Sequence, residues 1–321
     1  MEKTSKIYIA GHDGLVGSAL VRKFNNNGYA NLLTRHYTEL DLRQQADVTA
    51  FFQKEKPEFV VLAAAKVGGI LANNTYPAEF IYDNLAIDIK IIHAAWQTGV
   101  RRLIFLGSSC IYPRECPQPM KESHLLTGPL EATNEPYAIA KIAGIKMCQS
   151  YNRQYGTRYF ALMPTNLYGP NDNFDLETSH VLPALMRKFH EAKTSGAKTV
   201  TVWGTGTPRR EFLHVDDLAD ACLHIISLDE PVYEKLVSEN VTPLVNVGCG
   251  KDQTIAEMAQ IIRNVTGFKG DIVYDRSKPD GTPQKLLDVS LLTRLGWQQT
   301  IPLEKGLAMT YQWCLDNHVF D

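Results

Sequence analysis

A short apolar run, Ile-Tyr-Ile-Ala at 7–10, leads straight into Gly11, His12, Asp13, Gly14, Leu15, Val16 and Gly17, and a helical pattern begins at Leu15. Three glycines at this spacing between a strand and a helix leave few folds open. One makes the tight turn, one lets a ligand approach the backbone, and one lets the helix pack on the strand. The helix N-terminus then offers free N–H groups and a partial positive charge to an anion. A dinucleotide pyrophosphate is such an anion. A plain glycine turn is the bland alternative, but the strand–turn–helix context argues for the dinucleotide.

The same rhythm repeats along the first half of the chain. Strand-like runs at 32–34, 59–64, 103–107 and 158–163 are separated by helical patterns at about 15–24, 78–98 and 136–155. The unbroken apolar run at 59–64 suits a parallel strand covered on both faces. Alternation of this kind predicts an α/β fold, a Rossmann-type doubly wound parallel sheet. Beyond Gly169-Pro170 the rhythm loosens. Helices are expected near 180–193, 216–226, 255–265 and 303–316, and strands near 200–203, 244–247 and 272–274. We read residues 1–170 as the nucleotide-binding domain, with segments near 211–250 returning to it, and 171–321 as mainly a smaller C-terminal α/β substrate domain. At 321 residues and 44% hydrophobic content, the chain is long enough for both.

Composition excludes several classes. Lys+Arg 33 against Asp+Glu 35 gives no basic field for nucleic acid. No stretch approaches the roughly 20 apolar residues that span a membrane, and the first residues lack a signal-peptide core. A cytoplasmic protein is expected. The six cysteines form no CxxC pair, so reduced thiols and no metal site are expected.

Chemistry gathers at the ends of strands. The run at 103–107 ends in Ser108-Ser109-Cys110, and ligands of open α/β sheets lie beyond the carboxyl ends of the strands. Tyr137 and Lys141, four apart, share a helix face. A nearby ammonium lowers a phenol's pKa and equips it for proton transfer at a carbinol or carbonyl oxygen. A surface ion-pair face is the alternative. Cys110 is either a small buried hydrophobe or, beside a cation, a base. After the second strand the chain reads Thr34-Arg35-His36-Tyr37, with no carboxylate for a ribose diol. Arg35 suits a 2′-phosphate, which favours NADP(H), or is a solvated surface charge. Asp41 is a contact for the adenine or a local cap.

The glycine turn, the strand-end Ser108 and Tyr137-x-x-x-Lys141 together resemble the extended short-chain dehydrogenase/reductase superfamily. Longer runs are similar to one family within it, the GDP-L-fucose synthases, which are GDP-4-keto-6-deoxymannose 3,5-epimerase-4-reductases. They are AAAKVGGILANNTYPAEFIYDN (63–84), LGSSCIYP (106–113), NEPYAIAKIAGIKMC (134–148), PTNLYGPNDNF (164–174), SHVLPAL (179–185), REFLHVDDLA (210–219) and KPDGTP (278–283). Sugar dehydratases of the superfamily place Asp-Glu where this chain has Ser109-Cys110.

The resemblance implies an NADPH-dependent bifunctional enzyme acting on a GDP-sugar, commonly a homodimer. Residues 11–17 and the segment 35–40 would hold the adenosine half of the cofactor. Leu106, Gly107, Ser108, Ser109, Lys141, Pro164, Thr165, Asn166 and Leu167 would hold the nicotinamide half, with His180 close by. Lys188, Trp203, Arg210 and Asp280 would bind the GDP-sugar. The alternatives are Trp203 in the core and Arg210 paired with Glu211 or with Asp216 or Asp217. Ser108, Tyr137 and Lys141 would serve the reduction, with Cys110 as base in epimerisation and His180 as its acid; the alternatives for His180 are orienting the substrate and a capped core histidine. Members of the family carry basic residues where this chain has Asp13 and Tyr37, a departure at the 2′-phosphate end. Another nucleotide-sugar epimerase or reductase of the superfamily is the alternative reading.

Overall fold

A computed structural model describes residues 1–238, 241–278 and 280–321. Pro279, within the 278–283 segment, lies outside the described residues. The first half runs β1 (Ile7–Ala10), α1 (Leu15–Asn26), β2 (Leu32–Leu33), α2 (Gln45–Glu55), β3 (Phe59–Leu62), α3 (Ile70–Thr75), α4 (Pro77–Gln97), β4 (Arg102–Leu106), α5 (Glu135–Tyr155) and β5 (Tyr159–Pro164). There follow β6 (Asn166–Tyr168), α6 (Val181–Ser195), β7 (Thr199–Trp203), β8 (Arg209–His214), α7 (Val215–Ile226), α8 (Glu230–Val237) and β9 (Leu244–Val247). The chain closes with β10 (Asp252–Thr254), α9 (Ile255–Thr266), β11 (Asp271–Asp275), β12 (Gln284–Lys285), α10 (Ser290–Arg294) and α11 (Leu303–Asp316).

The large sheet has the order β2-β1-β3-β4-β5-β9, and every pair in it is parallel. All its strands except the edge strand β2 are buried on both faces. Ile7, Ile9 and Val61 point into an apolar layer with Leu20, Phe24 and α7, whereas Tyr8, Ala10, Val60 and Leu62 point into the opposite layer with Phe52, Ile91 and Ile145. Period-two alternation at a strand with two covered faces produces this division. The order reverses at β1, which has β2 on one side and β3 on the other. Such a switch point opens a crevice at the carboxyl ends of its strands.

Gly11 and Gly17 are fixed by that crevice. Gly11 has φ +81°, and a Cβ on it would stand 2.6 Å from the Cα of Ala64, just past β3. A Cβ on Gly17 would stand 1.9 Å from the carbonyl oxygen of Gly11. Gly14 is different: its Cβ would meet nothing nearer than 3.8 Å. We therefore expect Gly17→Ala to lower stability by about 1–3 kcal/mol through overpacking. Gly14→Ala should match wild type within about 0.5 kcal/mol. Urea denaturation of the two variants checks this, and equal losses would contradict it.

The second region is built on β8, which pairs in parallel with β6 and β12 and antiparallel with β10. β7 and β11 form a separate parallel pair. Around these strands α6, α9 and α11 share a third apolar cluster that includes Phe189, Met258 and Leu307. β6 starts two residues after β5, so this region grows from the carboxyl edge of the large sheet. Glu211, fully buried, ties the regions together. Its carboxylate accepts from the backbone N–H groups of Cys249 (2.7 Å), Gly250 (2.6 Å) and Leu287 (2.9 Å).

Candidate active site

The N-terminus of α1 has no side-chain cap, and its first turn holds no acidic residue. The N–H groups exposed by the glycine turn are therefore left for a ligand. The narrow clearances at Gly11 and Gly17, and the space at Gly14, make a cradle that side chains would fill. A dinucleotide pyrophosphate fits that cradle.

Across the crevice, β4 delivers Leu106 and Gly107. Gly107 is fixed by Met163, whose Cε would lie 2.3 Å from an added Cβ. Ser108 caps a 3-10 turn over Ser109–Ile111, its Oγ accepting from the N–H of Cys110 at 3.4 Å. Pro164, Thr165, Asn166 and Leu167 bridge β5 and β6. Thr165 and Asn166 both donate to the carbonyl of Glu211, at 3.1 and 2.8 Å, which holds this bridge against β8.

α5 begins at Glu135 with Pro136 in its first turn, where the missing N–H costs nothing. Tyr137 and Lys141 then face the strand end together. The Tyr137 ring packs edge-on to Phe80 of α4, with centroids 6.4 Å apart. Lys141 is 1% exposed. Its Nζ lies 4.8 Å from the centre of the Phe105 ring and 5.9 Å from that of Tyr137. This pair is no surface ion-pair face.

The ammonium has another partner. Asp88 of α4, also 1% exposed, stands 3.5 Å from Nζ, and neither of its oxygens has a hydrogen bond. Sequence reasoning missed this residue. The signal was a carboxylate four positions after Asn84 on a face that also carries Ile91, Ile92 and Ala95, all buried. Burial outweighs the attraction of Lys141 and raises the Asp88 pKa to about 6. The fold thus binds this proton more tightly than the unfolded chain does. The contribution of Asp88 to stability falls as pH rises from about 4 to about 6. Asp88→Asn should flatten that slope. In chemical denaturation the stability difference between about pH 4 and about pH 7 should shrink by on the order of 1–3 kcal/mol. Parallel pH profiles for variant and wild type would contradict this.

Electrostatics correct one expectation. The sequence predicts that Lys141 lowers the Tyr137 pKa. Burial instead pushes the phenol well above its ordinary value, and Cys110 and Asp88 push in the same direction. Tyr137 therefore stays protonated. Cys110 is 7% exposed, and burial raises its thiol too, against smaller opposing effects from Ser108, Lys285 and Lys141. Lys285 is a second residue that the sequence reading passed over. Met120 N–H donates to the Leu286 carbonyl at 2.8 Å, so the loop after Cys110 and the β12 segment run together. Burial lowers the Lys285 pKa, and Cys110 opposes that.

His180 is the N-cap position of α6. The backbone before it is held near the β3 loop, where Gly69 N–H donates to the Thr178 carbonyl at 3.0 Å. Loss of hydration in that setting lowers the imidazole pKa. Further along α6, Lys188 reaches over Trp203, its Nζ 5.1 Å from the ring centre, and Lys278 does the same at 5.3 Å. Trp203 is 61% exposed, so it is not core. Arg210 is not paired with Glu211, Asp216 or Asp217; it donates to the carbonyls of Arg209 (2.8 Å) and Thr282 (2.6 Å). Asp280 accepts from Thr205 N–H at 2.9 Å and from Thr205 Oγ1 at 2.7 Å, which pins its loop beside Gly204.

At the adenosine end the candidates separate. Asp41 is bound by the N–H, Nε and Nη of Arg43 and caps its own turn. Arg35 donates to the Thr34 carbonyl at 2.7 Å and to Glu55 at 3.0 Å. His12 and His36 both lie against Asp13.

The sequence profile of the NAD dependent epimerase/dehydratase family matches residues 7–236. The chain belongs to this family. It is 58% identical to the GDP-L-fucose synthase of Escherichia coli over 97% of each chain. It is equally 58% identical to GDP-L-fucose synthase 1 of Arabidopsis thaliana, over 98% of this chain and 95% of that one. Within the family it therefore stands with the GDP-L-fucose synthases. Among solved structures, a GDP-mannoheptose C4 reductase from Campylobacter jejuni with NADP bound superposes with TM-score 0.89 at 41% identity, covering 98% of this chain and 99% of that one.

Proposed function

We propose that the chain is an NADPH-dependent epimerase and reductase that converts GDP-4-keto-6-deoxy-D-mannose to GDP-L-fucose. One observation carries the reading: Ser108, Cys110, Tyr137 and Lys141 converge at the end of β4, in the crevice that the glycine turn opens. Identity of 58% to named GDP-L-fucose synthases supports it along the whole chain.

The cofactor would be held by the 11–17 turn, by the 106–109 strand end, by Lys141, by the 164–167 bridge and by the His180 region. When bound, NADPH supplies the hydride for C4. The remaining chemistry belongs to side chains. The 4-keto group acidifies the protons at C3 and C5. Cys110 takes such a proton as base, and His180 returns one as acid on the other face. In the free site the thiol is protonated and the imidazole neutral, so a proton must pass from one to the other before they take these roles. The half-buried Lys285 ammonium favours the thiolate that results. Ser108 and Tyr137 donate to the developing oxyanion at C4. Tyr137, kept protonated by burial, then gives its proton to that oxygen as the alcohol forms. Lys188, Trp203 and Arg210 would engage the GDP moiety, with Trp203 offering an open ring face to the base.

Residues 1–170, with 211–250 returning, would form the cofactor unit. All six cysteines are free, which suits the reducing cytoplasm we propose for the enzyme, and no described helix is long and apolar enough to cross a membrane. Tyr82 and Ile89 on α4 and Ile139 on α5 are exposed apolar residues on adjacent helices, which supports a homodimer through that face. Sedimentation of the purified chain at the mass of a monomer would overturn the dimer.

Added GDP-4-keto-6-deoxymannose should oxidise one NADPH per molecule of product. A 4-epimerase would retain its nicotinamide and need no added NADPH. A second reading, reduction of a different GDP-sugar, draws on the likeness to the mannoheptose reductase, and substrate competition in the same assay separates the two.

A further inference from the structure

The four residues after β2, Thr34 to Tyr37, include no carboxylate, yet the structure places one beside them. Asp13, in the glycine turn, reaches across to the residues after β2. One of its oxygens lies 2.8 Å from His36 Nδ1, and the other lies 2.8 Å from His12 Nε2. The two imidazole rings are 4.8 Å apart, with the carboxylate bridging them. A second carboxylate, Glu39, accepts the His36 backbone N–H at 2.9 Å. The arginine that sequence reasoning assigned to a 2′-phosphate is committed elsewhere. Arg35 donates to Glu55 and to the Thr34 carbonyl, and its guanidinium lies 5.4 Å from the centre of the Phe51 ring. Tyr37 is 78% exposed and brings no charge. Among the described residues, neither Asp13 nor the His36 side chain forms a hydrogen bond or ion pair with a lysine or an arginine.

A carboxylate at the end of the second strand accepts a hydrogen bond from a ribose 2′-hydroxyl and repels a 2′-phosphate. We propose that Asp13 is the specificity-determining residue at this position. Its carboxylate does from the glycine turn what a residue after β2 would otherwise do, so the chain takes NADH as well as NADPH and discriminates only weakly between them. The two histidines hold the carboxylate in place, and its exposure to solvent screens its repulsion of the phosphate form. This inference rests on the cofactor reading above and refines its adenosine end.

The test is equilibrium binding of NADPH and NADH to the full-length protein without substrate, followed by calorimetry or by quenching of tryptophan fluorescence. Wild type should bind both, with Kd values less than about tenfold apart. Asp13→Asn removes the charge at an exposed position and should shift the ratio toward NADPH by about fivefold or more. Should that variant fail to fold, Asp13→Ser carries the same expectation. Arg35→Ala should move the ratio by less than about twofold, because its guanidinium is held by Glu55. A wider wild-type ratio, a smaller shift in the Asp13 variant or a larger one in the Arg35 variant would each overturn the proposal. If wild type bound neither nucleotide, the cofactor reading itself would fail instead.

Discussion

Replacing Tyr137 with Phe is expected to slow C4 reduction by roughly a hundred- to ten-thousand-fold, the usual worth of a positioned general acid. Only the hydroxyl is lost. The ring remains against Phe80, so folding and cofactor binding should persist. The reason for so large an effect lies in the protonation state. Burial, reinforced by Cys110 and Asp88, keeps the phenol protonated. Solvent deuterium should still enter C3 and C5 in this variant, at a reduced rate, because proton removal there does not require reduction. Single-turnover measurement of NADPH oxidation, with proton NMR of the substrate, checks both halves. A variant that reduced its substrate at the wild-type rate would show that another acid protonates O4.

Cys110→Ala is expected to do the reverse. Exchange at C3 and C5 should fall by at least roughly a hundredfold, while NADPH binds as in wild type. The pH dependence follows from burial. Because burial raises the thiol pKa and lowers the imidazole pKa, the reactive pair forms by internal proton transfer, and exchange in wild type should stay nearly flat from about pH 7 to the ordinary thiol range. If Cys110→Ala exchanged deuterium at the wild-type rate, the base would lie elsewhere.

Much of this was legible from residues alone. The long helices and inner strands announced themselves because burial on one or two faces imposes a period. The 244–247 strand and the 303–316 helix match the structure end to end. What escaped were elements whose stability comes from distant partners. β12 has two residues and exists because β8 lies beside it. α2 buries only Val48, Phe51 and Phe52, too few for a clear pattern. The site shows the same contrast. Ser108, Tyr137 and Lys141 are near neighbours along the fold and could be read from spacing. Asp88 left only a carboxylate on a buried helix face, and the reach of Asp13 across the crevice to His36 could not be read from spacing. The pairing of Arg35 with Glu55, twenty residues away, was likewise invisible from spacing.

One reaction addresses the central claim, that a single pocket both inverts two stereocentres and reduces a ketone. GDP-4-keto-6-deoxymannose and NADPH are incubated with the enzyme in deuterium oxide, and the product is examined by NMR. GDP-L-fucose should appear with deuterium at C3 and C5 and with one NADPH oxidised per molecule. A reduced sugar that keeps its original protons at both carbons would contradict the account.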